Sequence, residues 1–159
     1  AYTLAVVAVF IACYLAYRSR PDKYADLMGV SSLLAMVFVI GNLLVTLYGF
    51  PESILGSPVL DFFLAAMIYR AWQKNREPWK VVVGAALVAQ LMLHAVAISM
   101  WKLGGLTQHG LYLYVVALNA FFIVILLALG CVGVGHGLDR LLAHLLDRWG
   151  SGTMQDAGR

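Results

Sequence analysis

Long apolar runs separated by short polar breaks dominate the chain. A helix needs about 20 mainly apolar residues to cross the hydrocarbon layer of a bilayer. The runs therefore predict five membrane-spanning helices, at residues 1–17, 27–50, 58–73, 78–103 and 111–135. The third segment is the weakest, because its apolar run covers only residues 59–72, and a re-entrant element is the alternative.

The four prolines fall at the predicted ends of these segments. Pro21 is expected to end the first helix, because the proline ring removes a backbone hydrogen bond and clashes with the preceding turn. Pro58 and Pro78 suit the first position of a helix, where the missing N–H would have no partner in any case. Pro51 begins a predicted turn over residues 51–53.

The pattern changes after residue 135. Four glycines between residues 130 and 137 are expected to bend or stop the fifth helix. Apolar side chains then recur at helical spacing, at Leu138, Leu141, Leu142, Leu145, Leu146 and Trp149.

Basic side chains form a second stripe in this region at intervals of four, at His136, Arg140, His144 and Arg148. Leu, Trp and Arg in such an arrangement are typical of a helix that lies on a lipid surface, and Trp149 would anchor it there. Packing of this helix on the bundle's own loops is the alternative. The chain is therefore divided into a bundle (1–135), an amphipathic cytoplasmic helix (136–149) and a polar tail (150–159).

The composition supports a membrane protein. Hydrophobic residues make up 62% of the chain and charged residues 12%. A soluble domain carries about twice that charged fraction. The predicted fold class is therefore all-α, a polytopic membrane helix bundle of five transmembrane helices plus a C-terminal amphipathic interfacial helix.

The charges predict which way the chain crosses the membrane. Ten of the eleven Lys and Arg residues fall on one side of the five-span arrangement, and only Lys102 falls on the other. Basic residues near membrane segments are retained in the cytoplasm. We therefore expect an outside N-terminus and a cytoplasmic C-terminus in a bacterial cytoplasmic (inner) membrane. The basic clusters lie beside apolar spans, which indicates membrane lipids rather than nucleic acid as partners.

Five polar residues fall inside the apolar segments, at Asn42, Asp61, Gln90, His94 and Asn119. Three of them, Asn42, His94 and Asn119, are predicted about 10–12 Å below the outer boundary at 1.5 Å per residue. Asp61 is predicted about 5 Å below it, and Gln90 lies one turn deeper than His94 on the same helix face. Four different spans thus place polar groups in the outer half of the bilayer.

Polar side chains in lipid are costly and need a partner or a purpose. One interpretation of these five is an outward-facing pocket, in which Asp61 and His94 form a titratable pair that binds a cation or relays protons. The other is an interhelical polar layer, in which the five tie helices together by hydrogen bonds. Asp61 alone is also explained by the first turn of its helix, where a carboxylate meets the positive end of the helix dipole.

The remaining chemistry-bearing residues do not form a recognisable site. A transmembrane b-type haem needs two histidines at matching depth, and only His94 is deep. The ligand cluster of a zinc site is missing, and no catalytic triad is indicated. Cys13 and Cys131 are expected to be small buried hydrophobes. We therefore expect neither a metal nor another cofactor, and no enzyme.

Three functions fit these observations. The first is a non-enzymatic transporter-like, channel-like or membrane-assembly module, as a homo-oligomer or with partner membrane subunits. The second is a holin-type pore-forming (lysis) protein, for which five spans is more than expected. The third is an intramembrane enzyme that uses Asp61 and His94, although it would lack a second acid, a metal and a nucleophile.

Overall fold

A computed structural model of the chain describes the backbone of residues 2–48 and 57–155, and the side chains of residues 2–48 and 58–145. The described chain consists of five α-helices and is all-α, as predicted. The predicted turn at residues 51–53 lies outside the described residues. The helices are α1 (Tyr2–Ser19), α2 (Pro21–Tyr48), α3 (Ser57–Lys74), α4 (Pro78–Lys102) and α5 (Gln108–Gln155).

The five helices form a closed ring. Each packs against its neighbour in the chain, and α5 returns to pack against α1. The α1–α5 pair is parallel, because Tyr2 packs edge-on against Phe122 near one end and Ser19 meets His136 near the other. The ring thus has a basic end, which carries the α1–α2 and α3–α4 connections, and an opposite end, which carries the connection between α4 and α5.

The larger of two apolar clusters fills the ring toward the basic end, and a smaller one around Ala97 and Tyr114 lies between α4 and α5 toward the opposite end. Leu27, Val30, Leu87, Ile125 and Leu129 are at most 1% exposed and belong to one cluster. Fully burying a side chain of this size contributes about 1.5–3 kcal/mol relative to leaving it exposed. The polar residues predicted in the outer half of the bilayer lie beyond this core, toward the opposite end.

Among the described residues, four helical segments are long and apolar enough to cross a membrane: Tyr2–Ser19, Pro21–Tyr48, Pro78–Lys102 and Gln108–Leu145. These four segments identify a membrane protein by length and composition. The 18 residues of α3 include three charged side chains, Asp61, Arg70 and Lys74, which is why α3 does not join them. A fifth span through α3 therefore stays a prediction.

The last helix differs from the predicted division of the chain. Residues 136–149 do not form a separate helix but continue α5, which also includes residues 150–155 of the predicted polar tail. The glycines do not stop it, and two of the four lie close against α1. A Cβ atom on Gly133 would lie 3.0 Å from the backbone carbon of Ala12, and one on Gly130 would lie 3.4 Å from Val9.

The apolar stripe of this last region remains uncovered. Leu138, Leu141, Leu142 and Leu145 are between 44% and 56% exposed, so they do not pack on the bundle's own loops among the described side chains. Placement of this stripe on a lipid surface stays a prediction. The side chains of Leu146, Arg148 and Trp149 lie outside the described residues.

Two alanine substitutions test this packing, one at Gly133, which lies against α1, and one at Gly137, which does not. Gly133→Ala is expected to reduce the free energy of unfolding by about 1–3 kcal/mol, because the new methyl group presses on α1 backbone. Gly137→Ala is the matched control, since a Cβ there meets nothing within 4 Å. It should be neutral or stabilising by up to about 1 kcal/mol. Equal effects in denaturant titrations would contradict the proposed close approach of α1 and α5.

Candidate functional site

A cavity of about 420 Å³ lies in the ring toward the opposite end. All five helices contribute to its wall, through Tyr2 and Thr3 of α1, Asn42 of α2, Asp61 of α3, His94 of α4 and Asn119 of α5, among others. The volume equals roughly 14 water molecules at about 30 Å³ each. The site is therefore suited to water and a small ligand.

The structure brings all five predicted site residues to this one cavity. Asp61, Gln90 and His94 are buried, with 8%, 6% and 1% of their surface exposed. Asn119 is half-buried and Asn42 is exposed. The Asn42 amide nitrogen donates to the Phe38 carbonyl of its own helix at 2.7 Å, so that hydrogen bond does not tie two helices together.

A chain of hydrogen bonds crosses three helices at the cavity wall. His94 Nε2 lies 2.9 Å from Asp61 Oδ2, and the Tyr114 hydroxyl lies 2.7 Å from His94 Nδ1. Tyr114 is 4% exposed. Both ring nitrogens of the imidazole thus have partners, so α3, α4 and α5 are connected through His94.

The hydrogen-bond partners determine where the proton sits when His94 is neutral. An ionised Asp61 only accepts, so Nε2 carries the proton and Nδ1 accepts from the Tyr114 hydroxyl. The three side chains Asp61, His94 and Tyr114 then carry one net negative charge. The described residues that line the cavity include no Lys or Arg to balance it. A cation or an added proton would therefore be attracted to this wall.

Gln90 supplies a second feature that points toward a ligand. Its Oε1 atom is buried and has no hydrogen-bond partner among the described residues. Leaving a buried acceptor without a partner costs about 1–3 kcal/mol. Gln90 lines the same cavity as Asp61 and His94. Its carbonyl oxygen is thus available to a water molecule, a cation or another hydrogen-bond donor in the cavity.

Two details of this site differ from the sequence analysis. The first turn of α3 holds no acidic residue, so the carboxylate of Asp61 is explained by His94 rather than by the helix dipole. Tyr114 was missed because tyrosine is common at membrane boundaries. The sequence did place Tyr114 at a depth similar to that of Asp61. Tyr114 is three residues into its predicted span, and Asp61 is three residues after Pro58.

A second polar cluster lies at the basic end, around Lys80. This side chain is fully buried, and its Nζ donates to Asp26 Oδ2 at 2.7 Å, to the Ala71 carbonyl at 3.0 Å and to Asn75 Oδ1. Glu77 Oε2 lies 3.4 Å from the same nitrogen. From the sequence, Lys80 was expected only to help determine the membrane topology. In the structure it joins α2, α3 and α4.

The predicted lipid-surface residues lie elsewhere on α5. Arg140 and His144 are exposed there, away from the cavity. His136, one turn before Arg140, instead contacts the Ser19 hydroxyl at 2.5 Å and the Tyr24 hydroxyl at 3.2 Å. These contacts fasten α5 to the α1–α2 connection.

The cysteines and metal-ligating residues add no further site. Cys13 is buried, and its thiol lies 3.8 Å from the Leu129 carbonyl oxygen. Cys131 is exposed, so the expectation that it is buried is wrong; it lies on the outer face of α5. Among the described side chains, those of residues 2–48 and 58–145, His, Cys, Asp and Glu do not gather in groups of three that could hold a metal ion.

No protein-family model matches the sequence, and no curated protein or solved structure matches the chain. The chemistry of the cavity is therefore argued from its own geometry.

Removal of the Tyr114 hydroxyl tests the hydrogen-bond chain. Tyr114→Phe leaves His94 Nδ1 without its donor and is expected to lower the free energy of unfolding by about 1–2 kcal/mol. Tyr112→Phe, on the same helix but 64% exposed, should leave stability unchanged. Chemical unfolding in detergent compares the two variants. A Tyr114→Phe variant as stable as Tyr112→Phe would contradict the hydrogen bond to His94.

Proposed function

We propose that the chain is a non-enzymatic, transporter-like membrane protein that takes up a small cation, with the proton as the simplest case, into the cavity at the opposite end of the ring. Asp61 attracts the cation, His94 holds or passes on a proton, and Gln90 supplies a neutral oxygen ligand. Under the orientation predicted from the charges, this cavity faces outward from a bacterial inner membrane.

The observation that carries this proposal is the buried Asp61–His94 pair on a wall to which all five helices contribute. An ionisable pair inside a membrane segment is costly, and such pairs commonly mark ion pathways or proton relays. A purely structural hydrogen bond between α3 and α4 would not need a cavity beside it. It would also not leave the neighbouring Gln90 oxygen without a partner.

The two ends of the ring support a transporter-like rather than a pore-like function. Toward the basic end the interior is filled by Leu27, Leu87 and Leu129, and the Lys80–Asp26 ion pair lies beyond them. A cation that enters from the opposite end would therefore stop at the Asp61–His94 pair. Its passage would require a change in how the helices pack, which is typical of alternating access and not of an open pore.

The geometry gives less support to an intramembrane enzyme. A histidine that acts as a general base needs one ring nitrogen within reach of the group it deprotonates. In this site Asp61 takes Nε2 and Tyr114 takes Nδ1. The imidazole therefore reaches a substrate only if one of these two hydrogen bonds breaks, whereas a proton can move along them.

Ion flux into vesicles tests the proposal. The full chain is reconstituted, a membrane potential is imposed, and entry of protons, Na⁺ and K⁺ is followed in separate experiments with selective dyes. We expect flux of one of these ions above that of protein-free vesicles. Asp61→Asn should reduce it by about tenfold or more, because the charge that attracts the cation is removed.

The matched control is Asp139→Asn, which removes a carboxylate from an exposed position on α5. It should retain the wild-type flux. Helix content by circular dichroism shows whether each variant is folded. Absence of flux in the wild type, or equal flux in the folded Asp61→Asn and Asp139→Asn variants, would refute the proposal and favour the structural role.

A further inference from the structure

The boundary between α1 and α5 carries two adjoining cavities that the cation site does not use. Their volumes are about 800 Å³ and about 730 Å³, and Val134 and Leu138 line both. Together they form one groove, here called the α1–α5 groove, which runs along α1 from Tyr2 at its start to Ser19 at its basic end. A groove of this size on the outer face of a membrane protein is open to lipid.

The part of the groove farther from the basic end is apolar. Its wall is made of small side chains, Ala5 and Ala8 on α1 and Gly130, Cys131 and Gly135 on α5, among larger apolar neighbours. Charged side chains are missing from the described lining of this part. The small residues leave space in this part of the α1–α5 groove that suits a flexible hydrocarbon chain.

The part at the basic end carries two positive charges. Arg18 at the end of α1 and Arg140 on α5 line the same cavity, together with Ser19 and His136. The hydrogen bonds of His136 to Ser19 and Tyr24 hold this end of the groove in place. Guanidinium groups recognise phosphate oxygens with two parallel hydrogen bonds, so this pair matches a phosphate group.

We propose that the α1–α5 groove binds one anionic phospholipid from the membrane leaflet at the basic end, with its phosphate beside Arg18 and Arg140 and one acyl chain along Ala5, Ala8 and Gly130. The groove is long enough, because α1 alone measures about 26 Å from Tyr2 to Ser19 at 1.5 Å per residue. One leaflet of hydrocarbon is about 15 Å thick. Basic pockets between helices bind acidic lipid headgroups in this way.

The positive charge of the two arginines also discriminates between zwitterionic and anionic phospholipids. A zwitterionic phospholipid brings its own ammonium group close to the two arginines and gains no net attraction. An anionic phospholipid keeps its full negative charge for them. The site should therefore prefer phosphatidylglycerol to phosphatidylcholine with the same acyl chains.

Native mass spectrometry of the purified full chain tests this site, with phosphatidylglycerol and phosphatidylcholine of identical chains as probes. We expect the wild type to retain phosphatidylglycerol preferentially, in a one-to-one complex. The Arg18→Gln/Arg140→Gln variant should bind it about 30-fold more weakly, as two basic residues near a lipid surface predict. The Arg76→Gln/Lys102→Gln variant removes the same charge elsewhere and should bind as the wild type does.

A second pair of variants tests the apolar part and does not alter charge. A Cβ on Gly135 meets nothing within 4 Å, so Gly135→Leu can fold and fill the groove. It should weaken binding of both lipids, whereas Ala120→Leu, exposed on α5 outside the groove, should not. Three results would each overturn the proposal: equal binding of the two lipids, equal binding by the two charge variants, or displacement of the lipid by inorganic phosphate alone.

Discussion

Replacing Asp26 with asparagine is expected to lower the free energy of unfolding by about 3 kcal/mol, because the charge of the fully buried Lys80 loses its main partner. The side chain of Asp26 is itself 20% exposed, and Glu77 lies 3.4 Å from the same nitrogen, which places the effect at the lower end of the range for buried ion pairs. Denaturant titration of the purified protein in detergent measures the loss.

Lys74 supplies the matched control for this prediction. Its ammonium group lies 3.9 Å from the same carboxylate, but its side chain is 69% exposed. Exposed ion pairs contribute about 0–1 kcal/mol, so Lys74→Met should be nearly neutral. The double variant Asp26→Asn/Lys80→Met should be more stable than Asp26→Asn alone, since it removes the unpaired charge. If Asp26→Asn lowers the free energy of unfolding no more than Lys74→Met does, the polar cluster around Lys80 does not stabilise the fold.

Replacing His94 with alanine is expected to lower the free energy of unfolding by about 3–5 kcal/mol. Truncation leaves a space in the ring and removes the donor of a buried carboxylate, and breaking a buried charged pair is strongly destabilising. The Tyr114 hydroxyl loses its acceptor at the same time. Thermal or chemical unfolding of the variant measures the combined loss.

His109 is the control, because it is exposed near the same end of the bundle. His109→Ala should change stability by less than about 0.5 kcal/mol. Asp61→Asn in the His94→Ala background should recover part of the loss, because the carboxamide is neutral. If His94→Ala destabilises the protein no more than His109→Ala does, the Asp61–His94 hydrogen bond does not stabilise the folded state.

The helix ends illustrate what could be predicted from the sequence. α4 begins at Pro78, as the proline rule predicts, and α3 begins and ends within one residue of the predicted segment 58–73. α2, however, begins at Pro21 and not at residue 27. Its first turns carry Asp22, Lys23 and Asp26, which are polar enough to fall outside any apolar run. Hydropathy therefore located the apolar part of each helix but not its polar ends.

Residue depth predicted the cavity better than the partners within it. Asn42, Asp61, Gln90, His94 and Asn119 all line one cavity, and all five were placed in the outer half of the bilayer from the sequence. Depth does not determine which side chains touch, since that depends on the rotation of each helix. The hydrogen bond between His94 and Tyr114 could not be predicted from depth alone, and tyrosine is in addition common at membrane boundaries.

Burial of charge was the feature that the sequence could not reveal. Lys80 resembles the other basic residues of the α3–α4 connection in sequence, yet it is 1% exposed while Lys74 points outward. Asp26, 54 residues before Lys80 in the chain, lies 2.7 Å from Lys80 Nζ but 3.9 Å from Lys74 Nζ. A single sequence carries no direct sign of such a pairing.

Thiol labelling tests the central claim, that the polar cavity is open to water at the end of the ring opposite the basic connections. In a background with Cys13 and Cys131 replaced by alanine, Asn119→Cys places a thiol on the cavity wall. Met92→Cys places one on the outer face of α4, where the methionine is 68% exposed. A thiol reacts as its thiolate, which forms in water and not in lipid.

A membrane-impermeant maleimide should label Asn119→Cys when added to the face opposite the basic connections, and not when added to the basic face. The rate should exceed that of Met92→Cys by about tenfold or more, because only the first thiol can ionise in water. Labelling of Asn119→Cys from the basic face, or at the slow rate of Met92→Cys from either face, would contradict the account.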